Sequence, residues 1–94
     1  MDKKVFEAEL SKIVTVSKEF HVDKIILFGS CLDNVESARD IDIAVSGIDP
    51  KKFFKYYGRI SAEIDDEVDI VDLDDMRQHF YNKIINQGRI IYAR

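Results

Sequence analysis

The chain has 94 residues, 46% hydrophobic and 34% charged, with a net charge of −4, a composition typical of one small globular domain over residues 1–94. Because the charge is negative and no basic stripe is present, we do not expect strong nucleic-acid binding. No apolar run is long enough for a membrane span, and no signal-peptide core follows the N-terminus. The lone cysteine, Cys31, cannot form an internal disulfide, so we expect a cytoplasmic protein without membrane contact.

The first half of the chain predicts one helix followed by two strands. Residues 2–20 form an amphipathic helix with Asp2 as its N-cap, because apolar residues recur at helical spacing: Phe6, Leu10, Ile13 and Val14. Residues 24–28 and 40–45 are apolar, rich in β-branched side chains and bounded by turn formers, which is typical of short buried strands. The segment between them is expected to begin as a short helical turn at Ser30.

The next segments predict a helix and a third strand. Asp49 and Pro50 mark a helix start, since aspartate is a good N-cap and proline suits the first helical position. The core-facing stripe of this helix follows at helical spacing and comprises Phe53, Tyr57, Ile60 and Ile64. Residues 68–73 then read as a strand.

The last segments predict one more helix and one more strand. Asp74 is the expected N-cap of the helix and Gly88 its left-handed C-cap, with Phe80 and Ile84 on the apolar side. Residues 89–94 form the fourth strand. Strands that alternate with helices predict an α/β (α+β) fold, with helices packed on a mixed four-stranded β-sheet. The connection between residues 29 and 40 is too short for a full crossover helix, which allows the first two strands to be antiparallel.

A glycine and three polar residues, where the first predicted strand ends and the second begins, predict a phosphate and metal site. Side chains alternate along a strand, so Asp40 and Asp42 project together from one face. Two adjacent carboxylates repel each other, and a divalent cation, Mg²⁺ for oxygen ligands, is the usual compensation. Gly29 allows close backbone approach to a ligand, and Ser30 offers a hydroxyl for phosphate oxygens. This combination indicates chemistry on a nucleoside triphosphate.

A third carboxylate, Asp69, lies in the middle of the third predicted strand, between Val68 and Ile70. A buried charge at such a position needs a partner, whereas an exposed charge on an edge strand needs none. Spacing alone leaves both interpretations of Asp69 open.

Together these motifs resemble a known family. Gly29-Ser30, nine further residues and then Asp40-Ile41-Asp42 are similar to the signature of the polymerase-β-type nucleotidyltransferases, and in particular of the minimal nucleotidyltransferases. The resemblance extends to a later acidic strand, residues 68–72, and to a Gly-x-Ile-Ile-Tyr ending. It implies the nucleotidyltransferase fold over nearly the whole chain.

The resemblance also implies a role for each site residue. Gly29 and Ser30 would bind the triphosphate, Asp40 and Asp42 would bind two Mg²⁺ ions, and Asp69 would bind the catalytic metal and help to deprotonate the attacking hydroxyl. Two positions depart from the family pattern. Many relatives carry a basic residue after Gly-Ser and a serine before the first aspartate, whereas this chain has Cys31 and Arg39.

Minimal members of this family are often encoded beside a helical HEPN-type protein, and some act as antitoxins that adenylylate it. The resemblance therefore implies a Mg²⁺-dependent transfer of a nucleoside monophosphate, AMP from ATP, to a hydroxyl of such a partner. The 94 residues contain no helical acceptor-binding domain, which also favours a partner that carries the acceptor. Two alternatives are a non-catalytic antitoxin that only binds its partner and a nucleotidyltransferase acting on a small hydroxyl compound such as an aminoglycoside. The full set of site residues favours an enzyme over a binding module.

Overall fold

Helices and strands alternate along the chain in a computed structural model that describes residues 1–94. The helices are α1 (Lys3–Glu19), α2 (Ser30–Asp33), α3 (Phe53–Glu63) and α4 (Gln78–Gln87). The strands are β1 (Lys24–Phe28), β2 (Asp40–Ser46), β3 (Glu67–Asp72) and β4 (Arg89–Ala93), and a 3₁₀ turn, Pro50–Lys52, precedes α3. None of the helices combines the length and apolar character needed to cross a membrane.

The strands form one mixed sheet in the order β3-β2-β1-β4. Strand β1 pairs antiparallel with both β2 and β4, whereas β2 and β3 are parallel. The short α2 segment joins the antiparallel pair β1 and β2, and the longer α3 segment makes the crossover that a parallel pair requires. The predicted fold class, including the antiparallel first pair, is confirmed.

The two faces of the sheet bury different sets of side chains. On one face, Ile41 and Ile43 belong to the main core together with residues of α1 and α3. On the other face, Ile84 of α4 packs with Ile26 and Ala44. Because side chains alternate along β2, Asp40 and Asp42 lie on the α4 side of the sheet. Helix α4 covers only part of this face, so Asp40 is exposed and Asp42 is half-buried.

Two predicted helix starts are confirmed by their hydrogen bonds. The Asp2 carboxylate accepts hydrogen bonds from the Lys4 and Val5 amides, which would otherwise lack partners at the start of α1. The Asp49 carboxylate likewise accepts from the Lys51 amide, although it caps the 3₁₀ turn that leads into α3.

The predicted core stripe of α3 is wrong at its centre. Tyr56, not Tyr57, is fully buried together with Ile60, while Phe53 and Tyr57 are half-buried. The Tyr56 hydroxyl lies 2.7 Å from the Ser17 hydroxyl of α1, and this buried hydrogen bond satisfies the polar end of the ring. Burial raises the pKa of Tyr56 to about 12, so the phenol stays neutral. Spacing fits both tyrosines, and the partner on α1 decides between them.

The predicted N-cap of α4 is wrong, whereas its predicted C-cap is the right residue in a different conformation. The helix begins at Gln78 rather than after Asp74, whose carboxylate instead accepts a hydrogen bond from the Gly47 amide at 2.8 Å. Gly88 ends α4 as its C-cap, as predicted, but its backbone is extended, with φ −78° and ψ 168°, rather than left-handed. A Cβ at Gly88 would lie 2.4 Å from Ile26 Cγ2. Glycine is therefore needed at this position for close packing against β1.

Candidate active site

Sheet register brings Gly29, Asp42 and Asp69 to one end of the sheet. Phe28, the last residue of β1, pairs with Asp42 of β2, so Gly29 follows directly beside that aspartate. Asp42 in turn pairs with Asp69 in the parallel β2–β3 ladder. The predicted site residues thus occupy a row across three neighbouring strands, and Asp40 begins β2 two residues before Asp42.

The turn at Gly29 is closely packed against Asp42. Gly29 has φ +77°, a conformation that side-chain-bearing residues rarely adopt. A Cβ at this position would lie 2.2 Å from Asp42 Oδ2 and 3.0 Å from Cγ. The Asp42 carboxylate therefore lies directly against the Gly29 backbone. Ser30, the first residue of α2, follows the turn with an exposed side chain.

The carboxylates of this row raise one another's electrostatic energy. Burial raises the pKa of Asp42, and the negative charges of Asp69 and then Asp40 raise it further. Asp40 and Asp69 are exposed, and none of the three makes an ion pair with a basic side chain. A cation at this end of the sheet would relieve the repulsion.

The fit of these residues to Mg²⁺ rests on donor type and charge. No three His, Cys, Asp or Glu side chains converge into a group that would hold a metal ion in the present side-chain positions. Carboxylate oxygens are nevertheless the ligands that Mg²⁺ prefers, and one or two carboxylates with substrate phosphates commonly suffice. Asp40, Asp42 and Asp69 therefore have the donor type that suits Mg²⁺, although their side chains do not converge.

Asp69 has a hydrogen-bonding partner that the sequence did not reveal. The Tyr57 hydroxyl lies 3.2 Å from Asp69 Oδ1 and 2.9 Å from the Val68 carbonyl oxygen, so its one proton can be donated to either. Burial is the main reason that the pKa of Tyr57 is raised, and the nearby Asp69 charge adds to it. Asp69 lies on an edge strand and is exposed, as one interpretation expected, yet it also adjoins Asp42.

Two further residues near the row, Tyr57 and Glu67, are not among the site residues that the sequence predicts. Tyr57 was placed on the core stripe of α3, and no local pattern indicates its contact with Asp69. Glu67 lies just before the predicted strand 68–73, but it is the first residue of β3 and pairs with Asp40. Its position two residues before Asp69 puts it on the same strand face, a signal that alternation could have revealed.

Cys31 and Arg39, the two departures from the family pattern, differ in environment. Cys31 is buried, and its thiol donates a hydrogen bond to the Asp40 carbonyl oxygen at 3.1 Å. Burial and the Asp42 charge raise the pKa of this thiol, which therefore stays protonated. Cys31 thus ties α2 to the start of β2. Arg39 is exposed and makes no ion pair.

Comparison with known proteins identifies the family of the chain. Residues 11–94 match the family model described as polymerase beta, nucleotidyltransferase. No curated protein sequence gives a significant match.

Several solved structures share the fold. A crystal structure of the toxin–antitoxin MntA–HepT matches with a TM-score of 0.72 and 22% identity, over 94% of this chain and 73% of that chain. A toxin–antitoxin with AMP-PNP matches with a TM-score of 0.75 and 24% identity, over 89% and 73%. A structure of the tri-AMPylated Shewanella oneidensis HEPN toxin in complex with MNT antitoxin matches with a TM-score of 0.72 and 24% identity, over 94% and 72%.

The likeness to these structures is a likeness of fold. The family model, in contrast, covers the sequence from the middle of α1 to the end of β4, including every candidate site residue. The family resemblance inferred from the Gly-Ser and Asp-x-Asp motifs is confirmed, and the chain belongs to the polymerase-β-type nucleotidyltransferase family.

Proposed function

We propose that residues 1–94 act as a Mg²⁺-dependent nucleotidyltransferase domain that transfers AMP from ATP to a hydroxyl of a helical HEPN-type partner, as the antitoxin of a toxin–antitoxin pair. The observation that carries the proposal is the in-register pairing of Asp42 with Asp69 beside the Gly29 turn. A non-catalytic packing role would not require three mutually repelling carboxylates at one end of the sheet.

The reaction assigns one task to each part of this row. The Gly29 backbone and the Ser30 hydroxyl hold phosphate oxygens of ATP, and Asp40 and Asp42 carry the negative charge that binds Mg²⁺. Two Mg²⁺ ions, when bound, would neutralise charge on the attacking and leaving oxygens. Asp69 accepts the proton of the acceptor hydroxyl, whose oxygen forms a bond to the α-phosphorus. The bond from the α-phosphorus to the bridging oxygen of the β-phosphate breaks, and pyrophosphate leaves.

The position of Asp69 suits an acceptor that is part of another macromolecule. Strand β3 is an edge of the sheet, and Asp69 is exposed there. A hydroxyl on a partner protein can therefore reach the carboxylate without entering a deep pocket. Among the fold relatives, one complex contains a HEPN toxin that is tri-AMPylated and another contains AMP-PNP, which supports AMP as the group transferred and a HEPN toxin as the acceptor.

The test measures transfer and nucleotide binding side by side. The purified chain is incubated with its co-expressed partner, Mg²⁺ and ATP labelled at the α-phosphate, and label on the partner is counted. We expect labelling by the wild-type chain that chelator abolishes. Asp69→Asn should reduce the transfer rate by a factor on the order of 10² while changing Mg·ATP affinity by less than about tenfold. Asp75→Asn, which removes an exposed carboxylate just after β3, is the matched control.

Three results would contradict the proposal. Wild-type labelling by Asp69→Asn would assign Asp69 to the edge strand alone. Tight partner binding without any label would instead favour the non-catalytic antitoxin. Label on an added aminoglycoside, with none on the partner, would favour the small-molecule transferase.

A further inference from the structure

The Tyr57 hydroxyl lies beside Asp69 in a position that suits a nucleotide acceptor. Its oxygen is 3.2 Å from Asp69 Oδ1, within the range from which a general base takes a proton. No other hydroxyl of the chain hydrogen-bonds to Asp40, Asp42 or Asp69. The carboxylate proposed as the base therefore already has a phenol of the same chain as its partner.

The ring of Tyr57 is held at the open edge of the sheet. It is half-buried, with the ring of Phe53 packed against it edge to face at 6.1 Å, and its hydroxyl also lies 2.9 Å from the Val68 carbonyl oxygen. Because β3 is an edge strand, no further strand covers the hydroxyl. Asp69 pairs with Asp42, so a triphosphate held at Asp42 lies beside this hydroxyl, and little motion is needed for the two to meet.

The other three tyrosines of the chain lack this combination of position and contact. Tyr56 is fully buried, and its hydroxyl is bonded to a serine of α1. Tyr81 of α4 is half-buried and makes no hydrogen bond to a carboxylate of the site. Tyr92 pairs with β1 near the far end of the sheet, beyond reach of the row. Tyr57 alone joins a phenol to the candidate base.

We propose that Tyr57 is a self-modification site, which receives AMP from ATP when no partner hydroxyl is present. The proposal rests on the proposed function and adds an acceptor within the chain itself. Asp69 takes the proton of the phenol, and the phenolic oxygen forms a bond to the α-phosphorus of ATP. The bond from the α-phosphorus to the bridging oxygen breaks, its electron pair stays on that oxygen, and pyrophosphate leaves.

The modification limits itself. The phosphodiester on Tyr57 carries one negative charge beside Asp69, where carboxylates already repel each other, so a second Mg·ATP binds less well. The bulk of the adenylyl group also covers the edge at which a partner hydroxyl would approach. A chain that modifies Tyr57 therefore stops after one AMP and loses most of its ability to label a partner.

The experiment follows the mass of the full chain, purified without a partner, during incubation with Mg²⁺ and ATP. We expect one added adenylyl group per chain, mapped to Tyr57 by peptide mass spectrometry. With α,β-methylene-ATP, in which the bond that must break is replaced, no mass should be added. Because acceptor and base belong to one chain, dilution of the protein by about tenfold should leave the fraction modified per unit time unchanged. The modified chain should label a partner added later at least about tenfold more slowly than the unmodified chain.

Matched variants separate the acceptor from the base. Tyr57→Phe keeps the ring and should gain no mass, yet it should still label a partner, several-fold more slowly because Asp69 has lost its hydroxyl contact. Tyr81→Phe removes the hydroxyl of a half-buried tyrosine of α4 and should be modified as the wild type is. A mixture of Tyr57→Phe with Asp69→Asn should leave both chains unmodified, since neither contains both groups. Thermal melts verify that each variant is folded.

The outcomes separate the inference from the proposed function. If the wild type labels a partner but never gains mass itself, the inference is refuted and the proposed function stands. If the added group maps to another residue, persists in Tyr57→Phe or appears in the mixture of variants, Tyr57 is not an acceptor within its own chain. If neither the chain nor the partner is labelled, the proposed function fails and the inference with it.

Discussion

Replacement of Gly29 by alanine is the sharpest structural test of the site. Gly29 has φ +77° and ψ −155°, a backbone region that is almost restricted to glycine, and a residue with a Cβ there costs about 1–3 kcal/mol. The new Cβ would also lie 2.2 Å from Asp42 Oδ2, and such overpacking costs roughly 1–3 kcal/mol more unless the carboxylate turns away. A combined loss of about 4 kcal/mol lowers the melting temperature of a chain of this size by about 16–32 °C.

The assay is thermal unfolding followed by circular dichroism, with Gly58→Ala as the matched control. Gly58 lies within α3, and no heavy atom would come within 4 Å of a Cβ there. Alanine is a better helix former than glycine by about 0.5–1 kcal/mol, so Gly58→Ala should raise the melting temperature by a few degrees. The same chemical change is thus expected to have opposite effects at the two positions.

The same substitution in an Asp42→Ala variant separates the cost of backbone strain at Gly29 from the cost of overpacking. In Asp42→Ala the Oδ2 and Cγ atoms are absent, so the cost of Gly29→Ala should fall to about 1–3 kcal/mol, the part due to the backbone. An equal cost in both backgrounds would mean that Asp42 does not press against the turn. A Gly29→Ala protein that melts within about 2 °C of the wild type would refute the whole account of the turn.

Three further changes address the acidic and phenolic groups. Asp42→Asn should raise the melting temperature of the protein without metal, because it removes a repelling charge that burial already penalises; a lower melting temperature would mark Asp42 as a structural hydrogen-bonding residue. Glu9 is 3% exposed with Oε2 unbonded, and burial, followed by its contact with Asp66, raises its pKa. The contribution of this carboxyl to the free energy of unfolding is therefore fully present in acid and is lost as pH rises through the raised pKa. Glu9→Gln should consequently be more stable than the wild type at pH 7 and equal to it below about pH 4. Urea titrations at both pH values will measure the difference. Tyr57→Phe should slow transfer several-fold with little change in ATP affinity, since it removes the hydroxyl 3.2 Å from Asp69; unchanged single-turnover kinetics would contradict this positioning role.

Local patterns predicted most of the fold because they depend on neighbouring residues only. Capping by Asp2 and Asp49 needs amides two or three residues away, and both bonds are present. Alternation along β2 placed Asp40 and Asp42 on one face, and the short connection after Gly29 allowed the antiparallel pair that the sheet contains. These features required no knowledge of distant contacts.

The wrong predictions share a non-local cause. Tyr56 is buried because Ser17 of α1 meets its hydroxyl, and Gly88 is needed because Ile26 of β1 lies beside it. Asp74 has the residue type of an N-cap but bonds the Gly47 amide, 27 residues earlier in the chain. Each outcome depends on a partner from another element, which periodicity along one segment cannot reveal.

The acidic character of β3 has a consequence for self-association. An open sheet edge carries unpaired amides and carbonyls that can recruit a strand from another molecule, and charged side chains on the edge discourage this. Strand β3 is such an edge and carries Glu67, Asp69 and Asp72 within six residues. The opposite edge, β4, carries Ile90 with 58% of its surface exposed, and its pairing with β1 is interrupted by a register shift. The carboxylates beside the candidate active site thus also disfavour the addition of a foreign strand at that edge of the sheet, whereas β4 carries no carboxylate.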